Sequence, residues 1–502
     1  MSGLTRREAL GLAAVAGGAV LLGGPSAQAG TRETLPRIPV IRSRNGVLKA
    51  RLEAVAGAAA LDRVTTDGLW TYDSSFVGPC LRLSPGDRMD LTVHNGVPVP
   101  INTHFHGFWV DPSGDADNVF IEARPGGSLR SRFHLPRAHP SGLFWYHPHV
   151  HGYTNESVWS GLSGPIIVNG GVEALPQYRG CRERLLVFKG FALDPAASTP
   201  TMLPVDSASA DLVIMTVNGV VNPTMALRPG ETQTWRMGNM GNDGFLRIAL
   251  DDHRFTVLAT DGHPVFETWT TKEVTLAPGA RVEVAVTGAK DPGSYSLRTL
   301  GYDNGRYGRW SAQVLATVVV EGEPGVPARA PKAITARPAW LEEQPAKRRT
   351  FTLSESFTPA TGPLFYINGE VFSHEDIHDP FEVEVDTVEE WVVRNDPSRA
   401  EGGVLEGHPF HIHVNHFAIV GRGRWDPATG KALTYRKVEP RGLEDTEQVL
   451  PAEYVVLKMK FRRFTGKTVF HCHILFHEDM GMMGAFRIVE RPSGSSGDDH
   501  AH

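Results

Sequence analysis

The sequence predicts an all-β protein made of three consecutive Greek-key β-sandwiches, and two observations predict this fold. Short runs rich in Val, Ile, Thr and Phe alternate with Gly, Pro, Asp and Asn, and 53 Gly and 36 Pro among 502 residues indicate many turns. A pattern of two alternating strands around a turn, ending at Asn, recurs at residues 81–95, 225–239 and 381–395. We interpret it as one hairpin used three times, and its spacing of about 145 to 155 residues matches one small sandwich.

The repeats and the local composition divide the chain into consecutive parts. A Pro/Ala/Glu-rich stretch separates the second and third repeats and predicts an extended connector across the surface. The polar tail, with His500 and His502, is predicted to be a solvated end. The parts are an export signal 1–29, a first domain 38–172, a second domain 176–322, a linker 323–346, a third domain 347–490 and the tail 491–502.

The N-terminus has the features of a targeting segment. Arg6 and Arg7 precede an apolar run from about Ala9 to Leu22, and small residues near Ala29 follow. Paired arginines are typical of a twin-arginine export signal, and the short, Gly-rich run favours cleavage over a permanent anchor. We therefore predict a secreted, periplasmic or cell-envelope protein with no stable membrane span after signal removal. The net charge of −6 provides no basic stripe, which argues against nucleic acid as a partner, and we predict a monomer.

The most informative segment is residues 471–483, HCHILFHEDMGMM. Side chains alternate on a strand, so Cys472 points to one face while His471 and His473 point to the other. One strand can then serve two metal sites. A thiolate, imidazoles and a thioether are the ligands of a blue-copper centre, and Cys472, His477 and Met482 supply three of them.

Four His-x-His pairs supply further ligands. With 21 His, roughly one such pair is expected by chance, whereas the chain has six. Zinc does not favour a Met ligand, so copper is the better candidate. Eight imidazoles are too many for one ion and suit a cluster of three. The pairs are His104 and His106, His147 and His149, His411 and His413, and His471 and His473.

In their order and spacing these motifs resemble those of the multicopper oxidases, the family of laccases, bilirubin oxidases and bacterial copper-efflux oxidases. The resemblance implies three cupredoxin-like sandwiches and four copper ions: one type 1, one type 2 and two type 3. It implies that the type 1 copper is held by His408, Cys472, His477 and Met482. It assigns the type 2 copper to His104 and His411, and the type 3 pair to His106, His147, His149, His413, His471 and His473.

The family resemblance also implies a mechanism. A reductant, either a small molecule or a metal ion, gives single electrons to the type 1 copper through an exposed imidazole edge of His408 or His477. The electrons cross Cys472 and the adjacent His471 or His473 to the cluster, where dioxygen is reduced to water. The first and third domains supply the cluster ligands, so the second is expected to hold the other two at the right separation.

Carboxylates near the cluster are candidate proton carriers. Asp117 and Glu478 match acidic positions of similar enzymes, with Asp115 as an alternative to Asp117. Two extra histidines beside the motifs, His151 and His416, are interpreted as local rather than as ligands.

The substrate and the remaining cysteines are less determined by the sequence. The 11 Met form no Met-rich insert, and Met237 and Met240 are expected in the core, so we favour a laccase-like oxidase of phenols or aromatic amines. A cuprous or other metal-ion oxidase, and a copper-sequestering protein without turnover, are the alternatives. Cys80 and Cys181 either form a disulfide or lie buried as free thiols, and the second reading is preferred.

Overall fold

The computed structural model describes residues 33–305, 308–358, 362–373, 380–399, 405–462 and 464–491. The predicted export signal, and the predicted tail beyond residue 491, lie outside the described residues. The fold is all-β, as predicted, and its main sheets form three consecutive pairs. We call them the first sheet pair (residues 40–168), the second (182–320) and the third (347–489).

The first sheet pair consists of a five-stranded and a four-stranded sheet. Its strands are β1 Val40–Arg42, β2 Val47–Leu61, β3 Val64–Tyr72, β4 Cys80–Leu83, β5 Arg88–Gly96, β6 His104–His106, β7 Ser128–His134, β8 Leu143–His147 and β9 Gly164–Val168. The sheet orders are β1-β4-β9-β8-β6 and β3-β2-β5-β7. An α-helix, Thr154–Ser160, lies between β8 and β9, and two 3-10 helices follow at Val172–Ala174 and Pro176–Tyr178.

The second sheet pair is the largest by strand number. Its strands are β10 Arg182–Phe191, β11 Ile214–Val217, β12 Thr224–Leu227, β13 Thr232–Asn239, β14 Leu246–Leu250, β15 Phe255–Thr260, β16 His263–Thr271, β17 Glu273–Leu276, β18 Arg281–Thr287, β19 Gly293–Leu300, β20 Tyr302–Asp303, β21 Arg309–Trp310 and β22 Gln313–Val320. Their orders are β11-β10-β13-β18-β15-β16, β12-β22-β19-β14-β17 and the ribbon β20-β21. A 3-10 helix spans Val205–Ser207.

The third sheet pair repeats this plan. Its strands are β23 Lys347–Thr358, β24 Gly362–Ile367, β25 Phe381–Glu384, β26 Val388–Asp396, β27 His408–Ile412, β28 Ala418–Arg424, β29 Arg436–Lys437, β30 Thr446–Val449, β31 Glu453–Lys460, β32 Gly466–Cys472 and β33 Met483–Val489. The orders are β24-β23-β26-β31-β28-β29 and β25-β33-β32-β27-β30. The α-helix Leu475–Asp479 joins β32 to β33, and 3-10 helices span Ala339–Glu342 and Pro397–Arg399.

The recurring pattern is a corner between two sheets, so the prediction of a hairpin is wrong. β4 and β5 belong to different sheets, and so do β12 and β13, and β25 and β26. The turn residue has a positive φ in each copy, +92° at Gly86, +70° at Gly230 and +58° at Asp386. This left-handed conformation turns the chain from one sheet into the other.

The asparagine that ends each repeat has one structural role. Asn95, Asn239 and Asn395 are buried, and each side-chain amide donates to two main-chain carbonyl oxygens outside its own strand. A buried amide must be paired in this way to avoid a desolvation penalty. The three residues therefore make equivalent side-chain to main-chain hydrogen bonds in the three sheet pairs.

The linker is held firmly against the second and third sheet pairs. Trp340 and Leu341 are buried in an apolar cluster with Phe266 and Leu443. Lys458 Nζ donates to the carbonyl oxygens of Leu341 and Glu343 at 2.8 and 2.6 Å. Across the part of the chain that the structure describes, no helix has the length and apolar character needed to cross a membrane.

Both cysteines outside the 471–483 segment are free thiols. Cys80 lies on β4 and is fully buried, whereas Cys181 is partly buried beside Tyr178 in a separate apolar cluster. Each packs as a small apolar residue, which agrees with the preferred prediction. Met237 and Met240 are fully buried in the core, as predicted.

Candidate metal centres

One cluster of soft ligands lies within the third sheet pair, and we call it the Cys472 site (His408, Cys472, His477 and Met482). β27 and β32 pair antiparallel, which places His408 near Cys472, while His477 comes from the following helix. Cys472 Sγ lies 3.8 Å from His408 Nδ1 and 3.7 Å from His477 Nδ1, and the two nitrogens are 3.3 Å apart. Ligand atoms about 2.0 to 2.3 Å from one ion have about these separations, so one ion fits between them.

Backbone hydrogen bonds place Met482 at the same site. The Cys472 N–H donates to the Met482 carbonyl at 3.0 Å, and the Met482 N–H donates to the His477 carbonyl at 2.8 Å. Met482 and Cys472 are completely buried, and burial raises the pKa of the Cys472 thiol well above its usual value. A bound cation would reverse that shift by favouring the thiolate, so this donor set fits a soft ion such as copper.

The prediction of an exposed imidazole edge at this site is wrong. His408 is fully buried, and His477 retains only 4% of its surface. The Phe365 ring stacks on His477 at a centroid distance of 4.0 Å. Glu406 Oε2 lies 3.3 Å from His477 Nε2. The outer nitrogen of His477 therefore faces a carboxylate.

The eight histidines of the four pairs converge between the first and third sheet pairs, and we call them the histidine cluster. Strand register causes the convergence, because His104 lies opposite His147 and His411 lies opposite His471. Only the first pair lies wholly within a strand, since the second histidine of each other pair lies just past a strand end. The rings of His104 and His413 stack at 3.8 Å, as do those of His106 and His411. The members are His104, His106, His147, His149, His411, His413, His471 and His473.

The ring nitrogens of this cluster are arranged as metal ligands. The Nδ1 atoms of His147, His411 and His471 face carbonyl oxygens at 2.8 to 3.0 Å, so each carries a proton and leaves Nε2 with a lone pair. Two close pairs of Nε2 atoms, His149 with His471 and His413 with His471, lie 3.1 and 3.2 Å apart. Within the described residues, partners are lacking at Nε2 of His104, His106, His147, His411 and His473.

Burial keeps these imidazoles neutral. It lowers the pKa of His104 and His106 well below the usual value and that of His147 to about 3, and neighbouring rings or Arg281 add to the effect. Metal binding requires neutral imidazole. Buried nitrogen atoms without partners cost free energy unless they bind something, so the residues fit a group of copper ions.

The two predicted proton carriers lie against this cluster. Asp117 Oδ1 is 3.0 Å from His104 Nδ1 and accepts the Phe105 N–H at 2.9 Å, and burial raises the pKa of Asp117 to about 8. Asp115 instead pairs with Arg132 near the surface at 2.8 Å. Asp117 is thus the acid that the fold brings to the cluster, while its role as a proton carrier stays a prediction.

Glu478 lies between two cluster histidines. Its carboxylate is 3.5 Å from His149 Nε2 and 3.1 Å from His471 Nδ1, and it is fully buried. Burial, with Asp479 next to it, raises the pKa of Glu478 well above its usual range. A buried carboxyl group with a raised pKa beside the cluster is chemically suited to proton transfer.

The two extra histidines have local contacts. His151 packs edge-on against Phe372 at 5.1 Å. His416 accepts the Trp109 indole N–H at 2.7 Å and donates to the Asp261 carbonyl at 2.8 Å. These bonds occupy both nitrogens of His416, which leaves it unable to act as a ligand.

Sequence reasoning missed six residues that lie beside the two sites. The second sheet pair, predicted only to separate the other two, brings Arg281 and Gly279 into contact with His106 and His473. Single arginines and glycines carry no motif, so the sequence contained no signal for them. The remaining missed residues are Asp261 and Asp445, which contact Arg281, and Glu355 and Glu406 beside His477.

Comparison with known proteins gives a consistent result. Family models described as multicopper oxidase match residues 54–172, 145–324 and 342–492. The chain is 24% identical over 470 residues to a multicopper oxidase of Staphylococcus aureus, covering 93% of this chain and 94% of that protein. It is 24% identical over 495 residues to a laccase of Bacillus stratosphericus, covering 84% and 91%. A multicopper oxidase structure from Campylobacter jejuni, described as a metallo-oxidase, is similar with a TM-score of 0.76 and 24% identity over 91% and 95% of the two chains. This likeness confirms the predicted cupredoxin-like fold.

Proposed function

The chain belongs to the multicopper oxidase family of copper-dependent oxidoreductases that use dioxygen, and from that premise we propose the sites and the substrate of its reaction. The reaction couples the oxidation of a reductant at the Cys472 site to the reduction of dioxygen to water at the histidine cluster. In this proposal His408, Cys472, His477 and Met482 hold one type 1 ion. His104 and His411 hold one type 2 ion, and the type 3 pair is held by His106, His147, His149, His413, His471 and His473.

Bound copper supplies the redox chemistry that the side chains lack, one-electron acceptance at the Cys472 site and four-electron reduction of dioxygen at the cluster. The observation that carries the proposal is the position of Cys472, which the peptide backbone joins directly to His471 and His473. A short covalent path therefore connects the two sites. Cys472 and its neighbours are buried, which keeps water away from that path.

Asp117 and Glu478 provide the protons that the reduction of dioxygen consumes. Glu478 contacts His149 and His471, whereas Asp117 contacts His104. The two acids therefore lie beside different histidines of the cluster. A cavity of about 60 Å³ lies against His149 and His151, and a space of this size admits dioxygen or water.

The reductant that the geometry supports best is a metal cation. Glu355, Glu406 and His477 place ligand atoms within 4.8 Å of one another, directly over the Cys472 site. Burial and the neighbouring Glu406 raise the pKa of Glu355 to about 8, so a cation would relieve the repulsion between the two acids. Carboxylate oxygens suit ferrous or manganous ions, whereas cuprous ion prefers thiolate and thioether ligands.

Organic reductants are the second candidate. The sequence predicts a laccase-like oxidase of phenols and aromatic amines, and the similar protein from Bacillus stratosphericus is a laccase. The buried imidazole favours the small cation over a ring, and the structural relative from Campylobacter jejuni is described as a metallo-oxidase.

Oxygen uptake by the copper-loaded chain distinguishes these reductants. We expect ferrous ion to support faster oxygen uptake than a panel of phenols, and Glu406→Gln to lower kcat/KM for ferrous ion about tenfold or more while sparing the phenols. Glu390→Gln is the matched control, because Glu390 pairs with Arg348 and belongs to none of the candidate metal-binding groups in the described part of the chain. Faster phenol oxidation that is unaffected by Glu406→Gln would instead establish the laccase-like reaction.

The copper content tests the whole proposal. Elemental analysis should find four copper atoms per chain, and Cys472→Ser should lose one of them together with the blue absorption and the oxidase activity. A chain with one copper, or a Cys472→Ser variant with normal turnover, would contradict the assignment. Loading with four ions but no oxygen uptake with any reductant would indicate copper sequestration.

We further propose export by the twin-arginine route, a monomer in solution, and domain boundaries at 38–172, 176–322 and 347–490. Arg6 and Arg7 support the export route, and the ends of the three sheet pairs support the boundaries. Mass measurement of the exported chain tests cleavage near Ala29.

A further inference from the structure

One arginine of the second sheet pair makes bonds to all three sheet pairs. Arg281 begins β18 and its side chain is fully buried. Its guanidinium forms two parallel bonds of 2.8 Å to the Asp445 carboxylate in the third pair. It also donates to the Asp261 carbonyl in the second pair at 2.9 Å and to the Leu143 carbonyl in the first at 3.3 Å. The three sheet pairs therefore meet at the guanidinium group of Arg281.

The Arg281–Asp445 pair lies against two members of the histidine cluster. Arg281 Nη1 is 3.1 Å from His106 Nδ1, and the Asp445 main-chain carbonyl accepts from His411 Nδ1 at 2.8 Å. The Asp445 carboxylate is 3.7 Å from the Nδ1 atoms of both histidines. Both rings thus have one nitrogen held by this pair and the other, Nε2, without a partner in the described structure.

The glycine that follows His106 provides an independent observation. Gly107 has φ +85°, and a Cβ atom there would lie 2.5 Å from Arg281 Nη2 and 2.6 Å from Asp445 Oδ2. Only glycine leaves room for the ion pair beside the backbone of a proposed ligand. The glycine at position 107 is therefore explained by the ion pair and not by metal binding.

Asp261 completes the arrangement from the second sheet pair. Its carboxylate accepts the Arg281 N–H at 2.8 Å and the Asp445 N–H at 3.0 Å. The backbones at both ends of the ion pair are thereby tied to one side chain. Such bracing holds the guanidinium and the carboxylate in a single geometry.

We propose that Arg281 and Asp445 are positioning residues of the trinuclear site, acting through His106 and His411; this inference rests on the proposed copper function. The Asp445 carbonyl holds His411 with Nδ1 protonated and leaves its Nε2 lone pair free for the metal, while the guanidinium N–H at His106 Nδ1 fixes the orientation of that ring with Nε2 toward the cluster. As a neutral pair, Arg281 and Asp445 add no net charge. The second sheet pair thus has an active part in the site. Without Arg281, Asp445 would be a buried carboxylate lacking its strongest partner, and the ligand beside it would lose its support.

The test compares copper-loaded full-length variants. We expect Arg281→Gln to bind the type 2 copper held by His411 and the type 3 copper held by His106 about 10 to 100 times more weakly in a chelator titration, and to change the type 2 EPR hyperfine splitting, with the blue absorption unchanged. Arg281→Lys should recover part of the affinity but not the spectrum, because a point charge cannot form two parallel bonds. Arg236→Gln is the control, since Arg236 is equally buried in an ion network with Glu173, Glu183 and Glu283, none of which is a proposed ligand.

If Arg281→Gln does not fold, Asp445→Asn is tested in its place. This variant keeps the volume of the side chain and the main-chain hydrogen bond to His411. Weaker type 2 binding with an altered spectrum in either variant supports the inference. If both variants match Arg236→Gln in copper affinity and spectrum, the positioning role is wrong. Four copper atoms in the wild-type chain would then still support the proposed function. A wild-type chain with one copper overturns both.

Discussion

The loop of the second sheet pair around Gly279 is expected to set the position of His473. Gly279 has φ +85°, and a Cβ atom there would lie 2.8 Å from Cδ2 and Nε2 of the His473 ring. Van der Waals contact needs about 3.5 Å, so in Gly279→Ala the ring or the loop must move by about 0.7 Å. Metal sites tolerate displacements of about 0.5 Å. We expect cluster copper to bind about 10 to 100 times more weakly and oxygen uptake to fall about 100-fold, with the blue absorption retained.

A matched glycine separates this contact from backbone strain. Gly126 has φ +81° and no atom within 4 Å of an added Cβ. Alanine in the left-handed conformation costs about 1 to 2 kcal/mol in either variant, so the strain cancels between them. The expected difference in copper affinity corresponds to about 1.4 to 2.7 kcal/mol, measured by chelator competition. Equal copper affinity and equal oxygen uptake in Gly279→Ala and Gly126→Ala would refute the reasoning.

Two further variants test buried ionisable groups. Glu478→Gln should keep the blue absorption but slow oxygen reduction about 100-fold, because an amide cannot carry a proton; unchanged oxygen uptake would remove Glu478 from the proton path. Burial lowers the folded-state pKa of Lys189 from 10.5 to about 7, so between these values the unfolded chain binds more protons and the free energy of unfolding rises with pH. Lys189→Met should abolish that rise, at most about 5 kcal/mol, in urea unfolding at several pH values. Parallel pH curves for the two proteins would contradict the assignment.

Site residues could be predicted from the sequence where the side-chain type and the local spacing are themselves rare. Cys472 and the histidines around it are rare in this arrangement, and strand register then brings them together. The alternation argument was only approximate, because His149, His413 and His473 lie just past strand ends. These three histidines still lie in the cluster, because the strands that precede them fix their positions.

Features that depend on long-range pairing could not be predicted. A hairpin and a corner between sheets have the same local pattern of two strands and a left-handed turn at Gly86, so only the distant partners of β4 and β5 distinguish them. Arg281 is one of 50 lysines and arginines, and its partner Asp445 is 164 residues away. Glu355 and Glu406 also lie far apart in the sequence, and neither is next to His477, so no local motif indicated the proposed cation site.

The division of the histidine cluster between two sheet pairs has a consequence for assembly. Half of its eight histidines come from residues 104–149 and half from 411–473, so a molecule whose first and third sheet pairs have not docked would offer the ions of the proposed cluster only an incomplete set of ligands. Tight metallation must then follow tertiary assembly rather than guide it. Only correctly assembled molecules would then bind the full complement of metal, and molecules assembled wrongly would remain incompletely metallated and inactive.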